Sequence, residues 1–120
     1  MNNKVNLAEK YKKFSECWSP KIVGDLNDSY VKVAKFQGEF TWHKHDEEDE
    51  LLMVIRGSIT IQFRDQYVVL NKGEFMIVPK GVEHCPKAEY TADVLLLEPK
   101  STLNTGDVIN EKTVKDLDWI

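Results

Sequence analysis

The chain has 120 residues, with 16 Lys+Arg against 20 Asp+Glu and a formal net charge of −4. That length suits one domain, and an apolar share of 42% beside 30% charged residues excludes wholesale disorder. The longest apolar run, Leu51-Leu52-Met53-Val54-Ile55, falls far short of the ~18 residues that span a bilayer, and the acidic balance argues against nucleic-acid binding by charge.

The start, Met1-Asn2-Asn3-Lys4, is polar and lacks the apolar stretch of a secretory signal. Leu7, Tyr11, Phe14 and Trp18 then recur at spacings of four, three and four. This predicts a short amphipathic helix within the first eighteen residues, N-capped by Asn6 and ended by Pro20. From Lys21 the period changes to two. Ser29 to Phe36 reads as a strand, broken at Gly38, and Phe40 to His45 alternates again before the acidic run Asp46-Glu47-Glu48-Asp49-Glu50. Glu50 to Arg56 reads as an apolar strand stopped by Gly57. Ser58 to Phe63 alternates cleanly, with Ile59, Ile61 and Phe63 on one face. Tyr67 to Leu70, Glu74 to Val78, Val82 to Lys87 and Ala92 to Glu98 follow as strands. The turns between them are Asn71-Lys72-Gly73 and Pro79-Lys80-Gly81. About eight short strands, with no helix-length segment between them, predict an all-β sandwich or barrel. The organisation expected is an N-terminal helical extension over 1–20, a barrel over 21–100 and a more polar tail over 101–120. Cys17 and Cys85 lie far apart, with no Cys-x-x-Cys, and read as free thiols of a reducing compartment, the cytoplasm.

The chain has only 3 histidines, His43, His45 and His84. His43 and His45 stand two apart, so on a strand both point to the same face. Glu50 follows at the start of the next strand, and His84 follows the Pro79-Lys80-Gly81 turn. Imidazole nitrogens and a carboxylate are the donors expected for a borderline or hard divalent metal. Taken singly, each histidine is more often an ordinary surface or core residue than a ligand; the argument lies in their placement together with the glycines and proline around them. No Ser/His/Asp set remains once they are committed, and no glycine-rich phosphate loop is present. Cys85, next to His84, should point away from that face, and Trp42 should point opposite to His43. The acidic run Asp46 to Asp49 reads as a solvated rim, while Arg56 and Gln62 have no assigned place.

Gly38-Glu39-Phe40-Thr41-Trp42-His43-Lys44-His45, then Glu50 and Gly57, resembles the first motif of the cupin superfamily. The step from Gly38 to His43 is one residue shorter than the common form. Gly73, Pro79, Gly81 and His84 stand in the register of the second motif, although a position often held by Asn is Ala88. The resemblance implies a double-stranded β-helix, the cupin jelly-roll barrel, with a divalent transition metal (Zn, Mn, Fe, Ni or Co) inside. The ligands it implies are His43, His45, Glu50 and His84. It also implies a small-molecule ligand, bound by a metal-dependent enzyme of isomerase- or dioxygenase-like chemistry on an oxygenated metabolite. The alternative is a non-catalytic, sugar-like binding or sensor module with a structural metal. Neither a nucleic-acid nor a membrane partner is expected.

If Glu50, Leu52 and Val54 face inward, then Leu51, Met53 and Ile55 face outward. Phe40 and Trp42 would extend that patch. Three large apolar side chains on an outer face call for a cover. The N-terminal helix can supply part of it, and a homodimer, which resemblance to small cupins also implies, the rest.

Overall fold

The computed structural model describes residues 4–120, so the polar start at Met1, Asn2 and Asn3 lies outside the described residues. The described chain forms one short helix and seven strands: α1 (Leu7–Tyr11), β1 (Lys21–Leu26), β2 (Ser29–Glu39), β3 (Glu50–Arg56), β4 (Ser58–Phe63), β5 (Tyr67–Asn71), β6 (Phe75–Val78) and β7 (His84–Pro99). All strand pairs are antiparallel.

The helix is shorter than the periodicity suggested. Asn6 does cap it, its side-chain oxygen accepting from the Glu9 N–H at 3.0 Å. The helix then stops after five residues. A single turn and a half has little stability of its own, and the sheet offers two separate docking places. Tyr11 and Phe14 pack on Val23 and Val33. Trp18 goes elsewhere, with its ring stacked on Phe36 at 4.4 Å between centroids. One helical face cannot serve both places, so the chain unwinds between them.

β1-β2-β7-β3-β6 form one layer, and β4, paired with β5 and with β7, forms the other. The two stretches read as separate strands, Val82 to Lys87 and Ala92 to Glu98, are arms of the single strand β7. The first arm pairs with β4 (Phe63 opposite His84, Thr60 opposite Lys87). The second pairs with β2 and β3 on its two sides. Between them the register is irregular, since two steps along β2 (Phe36 to Gly38) span four along β7 (Ala92 to Ala88). That irregularity lets one strand belong to both layers. Phe40 to His45, expected to alternate as a strand, forms no ladder; only His43 is bridged, to His84.

The core lies between the layers. Leu52, Val54, Ile59, Ile61, Val78, Val94 and Leu96 are buried there together, each worth about 1.5–3 kcal/mol of burial. Gly57 sits at the β3–β4 turn with φ +86°, and a Cβ there would press on Ala92 at 3.3 Å, so backbone and packing both call for glycine.

Candidate metal centre

The His43–His84 bridge builds the centre. His43 N–H donates to the His84 carbonyl at 3.1 Å and His84 N–H to the His43 carbonyl at 2.9 Å, which sets the two side chains next to each other. His45, two residues on, shares their side, and its carbonyl accepts from the Gly81 N–H at 2.7 Å. Gly81 has φ +80°, the left-handed turn conformation that delivers His84 inward. Each ring of the bridged pair is oriented by its own backbone: His43 Nδ1 lies 2.7 Å from the Thr41 carbonyl and His84 Nδ1 2.9 Å from the Val82 carbonyl. This fixes Nδ1 as the protonated nitrogen and leaves Nε2 with a lone pair directed into the barrel.

His43, His45 and His84 thereby offer three ligand nitrogens within 4.8 Å of one another. All three residues are buried, yet His43 Nε2, His84 Nε2 and both ring nitrogens of His45 have no hydrogen-bond partner. Orphaned buried nitrogens are costly unless something binds them. Glu50 opens β3 beside them, its carboxylate 3.6 Å from His45 Nε2 and 3.4 Å from His84 Nε2. Three neutral imidazoles and one carboxylate form a donor set that fits a first-row divalent ion.

The electrostatics match that use. Burial, helped by the neighbouring His84, pushes His43 down to about 4, and burial lowers His45 as well. Burial also acts to lower His84, but the Glu50 carboxylate 3.4 Å from its Nε2 outweighs it and raises the ring above the ordinary histidine value. Burial would raise Glu50, yet the His84 ring beside it, a hydrogen bond from Glu98 and the charge of His45 hold it well below the usual carboxylate range. His43, His45 and Glu50 are thus held as deprotonated donors, as metal ligation requires, and an ion taken up beside them would displace any proton on His84.

Two residues missed in the sequence complete the setting. Lys32 and Glu98 form a buried ion pair at 2.8 Å, with both side chains 2% exposed. Burial and the adjacent Glu50 carboxylate raise Glu98 well above its ordinary value. The available signal was strand alternation: Lys32 shares a face with buried Ala34 and Phe36, and Glu98 with buried Val94 and Leu96. Beside the histidines lies a cavity of about 30 Å³, enough for one or two waters. Trp18, Phe36, Phe40, Glu50 and Glu98 are among its walls.

Phe40 corrects the sequence reading. It does not extend an outer patch, but stacks on Trp18 at 4.7 Å and meets the His43 ring edge-on at 5.4 Å. Trp42 is half-buried under Arg64, whose guanidinium lies 4.0 Å above the ring. Arg56 points out to Asp93 at 2.9 Å, and Gln62 bridges Glu39 and the Cys85 carbonyl at 3.3 Å each. Cys85 is buried and outside the cluster, its thiol pushed up to about 11 by burial, which makes it inert. The acidic rim is partly structural, since Asp49 caps the Lys80 N–H at 2.9 Å and Glu48 accepts from Ser101 at 2.7 Å.

The tail also serves the centre. Asp107 and Lys44, the residue between the two histidines, exchange hydrogen bonds. Gly106 lies so close that a Cβ would run into the Lys44 carbonyl and press on His43 Cδ2.

An antiparallel β-barrel holding inward histidines and a glutamate defines the class of small cupin-type barrel proteins. The family description "Cupin domain" matches residues 29–100, and the chain belongs to that family. It is 32% identical over 101 residues to the uncharacterized protein YdbB of Bacillus subtilis, covering 83% of this chain and 87% of that one. A cupin-2 domain protein from Shewanella frigidimarina superposes with a TM-score of 0.81 at 39% identity, covering 82% of this chain and 96% of that one. Hydroquinone 1,2-dioxygenase PnpCD, solved with Cd2+ and 4-hydroxybenzonitrile, shares the fold with a TM-score of 0.68 at 17% identity, over 82% of this chain and 74% of that one.

Proposed function

We propose that the protein binds one divalent transition ion (Zn, Mn, Fe, Ni or Co) through His43, His45, His84 and Glu50, and acts as a metal-dependent enzyme on a small oxygenated metabolite. The observation that carries this reading is the cluster of buried imidazole nitrogens without partners, set beside a carboxylate. A bound ion supplies Lewis acidity toward a carbonyl or hydroxyl oxygen, as isomerase- or dioxygenase-like chemistry requires. The chain's own residues do the rest. Thr41 and Val82 orient two rings, Glu50 adds negative charge, and the Trp18–Phe36–Phe40 stack keeps bulk water from the cavity. The small volume of that cavity, about 30 Å³, favours a second reading: a binding or sensor module in which the ion anchors a compact ligand without turnover.

The test is elemental analysis of untagged protein, followed by a panel of small hydroxy- and oxo-compounds with each metal restored. Metal-dependent turnover that falls in Glu50→Gln supports the enzyme. Turnover that survives complete metal removal overturns it. Metal binding without turnover leaves the binding module.

The proposal extends to assembly and location. Leu51, Met53, Leu95 and Leu97 are half-buried on the outer face, and Phe75 and Ile77 beside them are 56% and 52% exposed. The N-terminal segment covers only the Ile55 end of this face. A second copy covering the remainder makes a two-fold homodimer. The free Cys17 and Cys85 suit a reducing compartment, the cytoplasm. Among the described residues no helix is long and apolar enough to cross a membrane.

A further inference from the structure

Two cavities reach the cluster of histidines, and they differ in kind. His43 and Glu50 wall the first, of about 30 Å³, together with the Trp18–Phe36–Phe40 stack. His45 walls the second, of about 180 Å³, with Asp46, Glu47, Glu48, Ser101 and Asp107. A divalent ion travels with a shell of water. Passing the aromatic stack would strip that shell against apolar surface, which is costly, and the first cavity holds only one or two waters. The second has room for an ion that still carries several waters.

The second cavity is also negative. Lys44, 3.4 Å from Asp46, offsets one of its four carboxylates. Two of the others are held in place, Glu48 by the Ser101 hydroxyl at 2.7 Å and Asp107 by the Lys44 N–H at 2.9 Å. A cleft lined by one sign of charge focuses its field and concentrates the opposite ion. An acidic rim alone would be ordinary solvated surface; His45 makes the difference. His43 and His84 each commit Nδ1 to a backbone carbonyl, whereas His45 is buried with no partner at either ring nitrogen. It is the candidate ligand that the backbone does not anchor, and it stands in the wall of the acidic cavity. Ser101 and Asp107 lie beyond the stretch matched as the cupin domain, so the tail builds part of this wall.

Resting on the metal-site reading above, we infer that this cavity is the loading port of the metal centre: its carboxylates gather hydrated divalent cations, and His45 is the first ring to receive one. The port acts on the rate of uptake, by raising the local concentration of cations in front of His45.

Stopped-flow uptake of cobalt by the metal-stripped full chain tests this, with release followed by chelator chase and affinity by equilibrium titration. The wild-type uptake rate should fall as ionic strength rises, since salt screens exposed charges. Glu47→Gln with Glu48→Gln should slow uptake by on the order of tenfold and flatten its salt dependence. Asp65→Asn with Glu89→Gln removes the same charge beside other cavities and should leave uptake as in wild type. Ser101→Trp, a plug at an exposed wall position, should slow uptake and release by the same factor with the dissociation constant unchanged, which holds only for a residue on the route. Unaltered rates in Ser101→Trp, or equal losses in the two neutralised pairs, overturn the port while the metal site stands. Failure of the wild-type chain to bind cobalt at equilibrium overturns the metal-site reading, and this inference with it.

Discussion

Asp107 grips Lys44 from both sides of its peptide: its carboxylate accepts from the Lys44 N–H at 2.9 Å, and its own N–H donates to the Lys44 carbonyl at 3.0 Å. Lys44 is the link between His43 and His45, so the tail fixes the spacing of two candidate ligands. Substituting Asp107→Ala should cost about 1 kcal/mol of stability, read by urea denaturation. Gly106→Ala, strained at φ +57° and set against the Lys44 carbonyl, should cost roughly 2–4 kcal/mol. Both should weaken cobalt binding about tenfold or more, as residues that orient ligands do. Unchanged cobalt affinity in both variants would detach the tail from the site.

Metal removal should destabilise the whole barrel. At an ion concentration about 100 times its dissociation constant, the stabilisation is about 2.7 kcal/mol. Calorimetry with and without chelator should show a lower melting temperature for the stripped chain. His84→Ala should lose most of that difference, because its ring is both a candidate ligand and the partner of Glu50 at 3.4 Å.

Acid should weaken the metal-free protein over a defined window. His43, lowered to about 4 by burial, stays neutral in the fold while the unfolded chain takes up a proton near 6.5. Its contribution is therefore complete above about 6.5 and lost as pH falls toward 4, amounting to roughly 3 kcal/mol. His45, also lowered, acts in the same sense. His84, raised by Glu50, acts in the opposite one: its contribution is present at low pH and fades as pH rises through its elevated value. Urea denaturation of stripped protein from pH 8 to 4 should show a net fall below pH 6.5, and a flat profile in His43→Ala would assign that fall to His43.

A dimer should appear in light scattering at twice the 13.9 kDa chain mass, with an interface above ~1,200 Å². Met53→Glu together with Phe75→Glu, opposite each other on β3 and β6, should return the monomer without unfolding it. A single-chain mass for the unaltered protein at micromolar concentration rules the dimer out.

Much of the barrel and the clustering of the three histidines were legible because both rest on local signals. Alternation fixed the inward face of β3 and β4, and the Pro79-Lys80-Gly81 turn announced the inward delivery of His84. Phe40 defeated the same logic: the His43 segment is not a regular strand, so alternation gave it the wrong side. The helix was overextended because Phe14 and Trp18 kept its period while docking in different places. Lys32 and Glu98 were passed over because a charged residue at a strand position reads as solvent-facing. Their burial depends on a partner that sequence spacing, 66 residues apart, does not reveal.

β7 carries His84 in the arm paired with β4 and Glu98 in the arm paired with β2 and β3. The two arms share one continuous backbone. Its amide protons should then open together with the sheet they bond, and ligation at the histidine end is expected to slow exchange along the strand. Amides near Leu96, remote in sequence from every histidine, should therefore report by slower exchange whether the centre is filled.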